Sequence, residues 1–267
     1  MRETRSGIIR RVSIAIAAAA TISAAQAAPT VIFQADFEAS LAESPTDLAN
    51  INLGTPVGFW TGFDEMRSLA DTMPSTGIHV NTTADGKGFI MDRNVDRSAT
   101  FSLDANFSQP AVLADGVTVT LKCSPRRNGA NKPCTFEGKD ASGRVSFSFR
   151  YQTFASSLEY FQYYDGSAWV PTGAGTDETN LMGSNVNSAN LETITLTLGA
   201  SSYSFGYAPG ADQTAASAYT VPGLNYVSTP TEITRITISG TPETGVTLDD
   251  LIVASQGAAS VDDWNKM

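Results

Sequence analysis

In VSFSFRYQT, residues 145–153, the apolar side chains Val145, Phe147, Phe149 and Tyr151 alternate with Ser146, Ser148, Arg150 and Gln152. A period of two marks a strand with one face in a core and the other towards water, whereas a helix repeats its apolar positions three and four apart. The same period runs through VTVTLKC (117–123), ETITLTL (192–198), SYSFGY (202–207), TRITIS (234–239) and ATFSL (99–103). Turn formers separate these runs: ADGKG, LADG, KDASGR, YDGSAW, PGAD and SGTPETG. No stretch holds a helical period for long; SLAESPTDLANIN (40–52) has room for one helical turn. The pattern predicts about a dozen strands in an all-β sandwich or barrel, without repeats or linkers. PTGAGTDETNLMGSNVNSAN (171–190) is the longest segment without pattern and reads as a surface loop.

The N-terminus has to be set aside before the fold is considered. Arg2, Arg5, Arg10 and Arg11 precede the apolar run VSIAIAAAATISAA, and small residues follow at Ala25 and Ala27. This is the layout of a bacterial signal peptide over residues 1–27, with an apolar run too short to span a bilayer. Residues 28–257 then form one domain and 258–267 a short tail, and the expected location is periplasmic or extracellular. Removing the leader leaves 13 basic against 26 acidic residues, a net charge of −13. Such a surface repels phosphate backbones, so nucleic acid is excluded as a partner class. No later run is apolar and long enough for a transmembrane segment, and oligomeric state is not legible.

Cys123 and Cys134 flank SPRRNGANKP, a loop rich in turn formers. In an exported chain such a pair reads as a disulfide across a hairpin tip, with two free thiols as the alternative. On the chain-entropy model a loop of this size would contribute about 3 kcal/mol.

Three phrases then suggest a relationship. The first strand after the leader is TVIFQADFE (30–38), with Phe33 and Phe37 on one face and Asp36 and Glu38 on the other. The middle carries FRYQTFASSLEYFQYYDGSAWVPTG (149–173), and the last strand is VTLDDLIVAS (246–255). This arrangement resembles the concanavalin A-like lectin and glucanase superfamily, laminin-G-like jelly rolls included, in its bacterial secreted form. The resemblance implies a two-sheet antiparallel jelly-roll β-sandwich whose first and last strands pair. It also implies a structural Ca²⁺ held by Asp36, Glu38, Asp249 and Asp250. Calcium would offset the cost of the inward-pointing member of the aspartate pair. A β-bulge turning both acids to solvent, or an ion pair with an arginine such as Arg235, explains the pair without metal.

The chemistry of hydrolysis finds little support. The Glu-x-Asp-x-Glu run of the glucanases is absent, and so is a Gly-x-Ser-x-Gly elbow. His79 is the single histidine, and Asp177 and Glu178 lie in the patternless loop. Jelly-roll polysaccharide lyases of the alginate-lyase type leave echoes in Gly77-Ile78-His79, Arg150-Tyr151-Gln152 and Tyr160-Phe161-Gln162. Each departs from the lyase pattern at one position, with Gly before His79, Gln after Arg150 and Gln after Phe161. A lyase would use His79, Arg150 and Tyr160 (or Tyr163 or Tyr164) to neutralise a uronate, take its proton and protonate the leaving group. A binding face asks for less: the aromatics Tyr160, Tyr164 and Trp169 beside Arg150 and Gln152 would hold an extracellular polysaccharide or glycan. Carbohydrate binding is the reading favoured here, with the lyase and a structural or adhesive surface protein as its rivals.

Overall fold

The computed structural model describes residues 28–35, 57–61, 78–83, 86–91, 101–125, 133–153, 159–171, 191–210, 218–240 and 246–256. The alternating runs form strands, numbered β1 to β15 in chain order. One sheet of eight strands runs β13 (Tyr219–Asn225), β12 (Ser202–Ala208), β11 (Glu192–Leu198), β6 (Val117–Pro125), β15 (Val246–Ser255), β4 (Gly86–Met91) and β3 (Ile78–Thr83), with β1 (Thr30–Ala35) also paired to β15. A second sheet of seven runs β10 (Trp169–Pro171), β9 (Glu159–Tyr164), β8 (Val145–Thr153), β7 (Pro133–Lys139), β14 (Glu232–Gly240), β5 (Phe101–Val112) and β2 (Phe59–Thr61). Every pairing among these strands is antiparallel.

Antiparallel neighbours in sequence join β3 to β4, β7 to β10 in series and β11 to β13 in series, but the chain changes sheet between β1 and β2, β2 and β3, β4 and β5, β5 and β6, β6 and β7, β10 and β11, β13 and β14, and β14 and β15. These crossings make the architecture a jelly-roll β-sandwich, and they pair the first strand with the last, Ala35 opposite Leu251. No helix of the described residues is long and apolar enough to cross a membrane.

The core follows the alternation. Phe147 and Phe149 of β8 meet Tyr203 and Phe205 of β12, and Tyr151 of β8 and Tyr207 of β12 both pack on Phe161 of β9, all buried. Phe136 and Phe149 stack in parallel with ring centroids 4.7 Å apart, and the Phe161 ring lies 5.9 Å from that of Phe205. This aromatic layer gives β8 and β9 a rigid floor, and their outer faces inherit that rigidity.

Among the strands with a register shift, two bear on the sequence reading. A shift between Val31 and Phe33 turns both Ile32 and Phe33 inward, where strict alternation would have buried only one. A second shift, between Asp249 and Ile252 against β6, takes the chain through Asp250 at φ 46°.

Candidate ligand-binding face

The outer face of the seven-stranded sheet is built by register. Opposite Arg150 on β8 stands Gln162 on β9, and opposite Tyr164 on β9 stands Trp169 on β10. The Arg150 Nε–H donates to Gln162 Oε1 at 2.7 Å, and the guanidinium carbon lies 4.2 Å from the centre of the Trp169 ring. The Tyr164 ring is 5.4 Å from that of Trp169. A guanidinium gripped through one edge and stacked through one face has lost most of its rotamer freedom before any ligand arrives.

The hairpin that brings Trp169 back to Tyr164 is held by its own turn. Asp165 accepts hydrogen bonds through Oδ1 from the Ala168 and Ser167 N–H groups, each at 2.8 Å, and from the Ser167 hydroxyl at 2.9 Å. Those bonds, the Ala168 amide first, hold the Asp165 carboxyl below its ordinary pKa. Gly166 supplies the positive φ of 98° that the reversal requires.

Along β8 the row continues through Ser148 and Ser146, which are 3% and 0% exposed. Among the described residues neither hydroxyl has a hydrogen-bond partner. Elsewhere on this face the acids are neutralised: Glu137 by Lys139 at 2.9 Å, and Asp104 by the Thr237 hydroxyl at 2.6 Å and Arg235 at 3.6 Å.

The structure brings Arg150, Tyr164 and Trp169 together as expected from the sequence. Gln152 and Tyr160 sit opposite each other in the β8–β9 register, and nothing more of their side chains is described. Trp169 was expected to offer its ring as a stacking surface, but Arg150 already covers one face, so Trp169 orients the guanidinium. Gln162 was missed in the sequence. Its signal was the alternation of EYFQYY, which puts it on the face of Tyr164 and directly across the hairpin from Arg150. Tyr163 goes the other way and packs against the core.

His79 lies on β3, the outermost strand of the eight-stranded sheet, opposite Ile90. Arg150 and Tyr160 belong to the other sheet, so the three residues of the lyase arrangement do not share a strand neighbourhood.

Asp36 and Glu38 fall outside the described residues. Of the aspartate pair, Asp249 is buried and accepts the Asp250 N–H at 2.8 Å, while Asp250 meets the Lys122 ammonium at 2.8 Å. The bulge is therefore present, but it turns only Asp250 outward, and Arg235 takes no part because it pairs with Asp104. Of the two described acids, Asp249 accepts the Asp250 amide inside the bulge and Asp250 faces the Lys122 ammonium. Among the described residues no three metal-binding side chains converge.

The cysteines correct a second expectation. Cys123 is on β6 and Cys134 on β7, in different sheets, so the segment between them crosses the sandwich and is no hairpin tip. Both are free thiols buried in the core. Burial first, then Glu192 and Cys134 nearby, push the Cys123 thiol well above its usual pKa, and burial raises Cys134 too. Such thiols are poor nucleophiles.

No family model matches this chain. No curated protein matches it either. Solved structures of similar shape include a carbohydrate recognition domain of Emp47p (10% identity, 85% of this chain and 97% of that one, TM-score 0.45). The globular domain of T. cruzi calreticulin (11% identity, 89% and 91%, TM-score 0.42) is another. A third is the alginate lyase from Klebsiella pneumoniae (9% identity, 68% and 85%, TM-score 0.39).

Proposed function

We propose that this protein is an exported, lectin-like glycan-binding β-sandwich whose ligand lies against Arg150 on the outer face of the seven-stranded sheet. The observation that carries the reading is the guanidinium held in advance by Gln162 at 2.7 Å and by the Trp169 ring at 4.2 Å. An arginine fixed in this way presents a planar fork that fits a sugar carboxylate or a pair of adjacent hydroxyls. Export rests on the leader-like residues 1–27 and predicts a mature N-terminus at Ala28.

Calorimetric titration of the mature protein with alginate and mannan oligosaccharides tests the site. Binding of at least one is expected. Losing a hydrogen bond from a charged group costs about 1.5–3 kcal/mol, so Arg150→Ala should weaken that binding roughly tenfold to a hundredfold. Arg150→Lys keeps the charge but not the fork and should recover little of it. Parent-like affinity in Arg150→Ala, or no binding of either sugar, refutes the proposal.

A further inference from the structure

The opposite face of the sandwich carries a different surface. On the outer side of the eight-stranded sheet, Thr195 of β11, Gly206 of β12 and Thr220 of β13 stand opposite one another across three strands. One step along, Thr193 stands opposite Ala208. The outward-facing positions of the middle strand are thus glycine and alanine between threonines, and the result is a groove of about 290 Å³ lined also by Ala218, Tyr219 and Tyr207, whose ring turns into the core. The volume is near the lower end of ordinary small-molecule pockets.

Gly206 interrupts a strand of good β formers, SYSFGYA. It needs no special conformation there. A Cβ added to it would stand 3.3 Å from the Thr195 carbonyl oxygen and 3.8 Å from the Thr220 hydroxyl, so any side chain would fill the groove floor. Glycine inside a strand, where it weakens the strand, marks a place where another molecule approaches the backbone closely.

We propose that this groove is a second saccharide subsite, independent of Arg150, and that it takes a neutral sugar unit. Among the described residues no charged side chain lines it, which argues against an ionic ligand. The chain's strong negative charge argues in the same direction against a polyanion. Each threonine offers a hydroxyl that both donates and accepts, with a methyl group beside it, which matches the mixed CH and OH surface of a pyranose. An extended peptide does not fit, because β12 is already paired on both sides and has no ladder of backbone groups to offer.

Native-gel affinity electrophoresis of the mature protein, with β-1,3-glucan or arabinoxylan cast into the gel, tests the groove. The parent should be retarded by at least one of these polymers. Arg150→Ala, which disables only the other face, should keep that retardation. Gly206→Val, which fills the floor, and Thr220→Lys, which puts a long cation at the exposed rim, should each lose the retardation, raising the dissociation constant read from it tenfold or more. If Gly206→Val melts below the parent, Thr220→Lys decides, since it alters only an exposed side chain. The proposal is overturned if no neutral polymer retards the parent, if Thr220→Lys runs as the parent does, or if Arg150→Ala alone abolishes retardation. The last outcome would give the neutral sugar to the seven-stranded sheet and leave the Arg150 site standing.

Discussion

Asp165 is fully solvent-exposed, yet the placement of Trp169 depends on it. Its carboxylate gathers the Ser167 and Ala168 amides and closes the turn that returns Trp169 to Tyr164. Because these bonds lower its pKa in the folded protein, the turn's stabilisation is complete above the unfolded carboxylate value, about 3.9, and is lost as pH falls through the lower folded value. The Ser167 and Ala168 amide resonances should therefore move, and their exchange protection should fall, between pH 5 and pH 2. Asp165→Ala should show the acid-form behaviour already at pH 7. Resonances that stay fixed across that range in the parent would show that the carboxylate does not hold the turn. This residue was legible in the sequence, since Asp-Gly between two alternating runs is a turn with a mechanism. Gln162 was less so. It means nothing until the β8–β9 hairpin register puts it across from Arg150, and a register is a property of two strands rather than of one side chain.

The last strand shows what a linear pattern leaves out. VTLDDLIVAS reads as one strand, and it is one, but its two aspartates divide the work of a bulge. Asp250 accepts the left-handed conformation, which aspartate tolerates better than most residues, and points to Lys122. Asp249 stays buried and satisfies the Asp250 amide. The sequence offered calcium, a bulge or an ion pair, and the outcome combines the second with a third of different partner. The bulge was unreadable because it arises where β15, paired to β6 along one edge, changes partner on the other from β4 (up to Leu248) to β1 (from Leu251). Asp249→Ala leaves a buried amide without its acceptor and should cost about 1–3 kcal/mol. Asp250→Ala loses only a partly exposed ion pair, worth about 0–1 kcal/mol, together with some ease in the left-handed conformation. Denaturant melts should rank Asp249→Ala as the less stable variant by the same margin in calcium and in chelator. A calcium dependence present in the parent and absent in Asp249→Ala would restore the metal site. The cysteines make the same point about topology. Their spacing suggested a hairpin, and only the sheet order reveals that β6 and β7 lie on opposite sides of the core.

The two candidate faces lie back to back across one aromatic layer. Arg150 follows Phe149 on β8, Gly206 follows Phe205 on β12, and the Phe149 and Phe205 rings meet at 5.7 Å between the sheets. Alternation makes this arrangement: a residue that faces out is flanked by residues that face in, so each outer surface is fixed by the core directly beneath it. Phe205 is fully buried and touches Phe149, Phe161 and Tyr219, rings from both sheets. Removing it should leave a cavity that neither sheet can close alone, at a cost of about 3–5 kcal/mol. For a domain of this length that corresponds to a fall of roughly 10–15 °C in melting temperature. Thr220→Lys, by contrast, changes an exposed side chain outside the core and should melt within about 0.5 kcal/mol of the parent, while Arg150→Ala, which also loses the Gln162 bond and the Trp169 stacking, should cost about 1–2 kcal/mol. Thermal melts of the three variants separate the two kinds of residue. If Phe205→Ala melts with the surface variants, the aromatic layer is not what holds the sheets together. If it melts low but binds on both faces like the parent at 10 °C, each outer surface keeps its shape without the ring beneath it, and the mechanical link between core and binding faces is wrong.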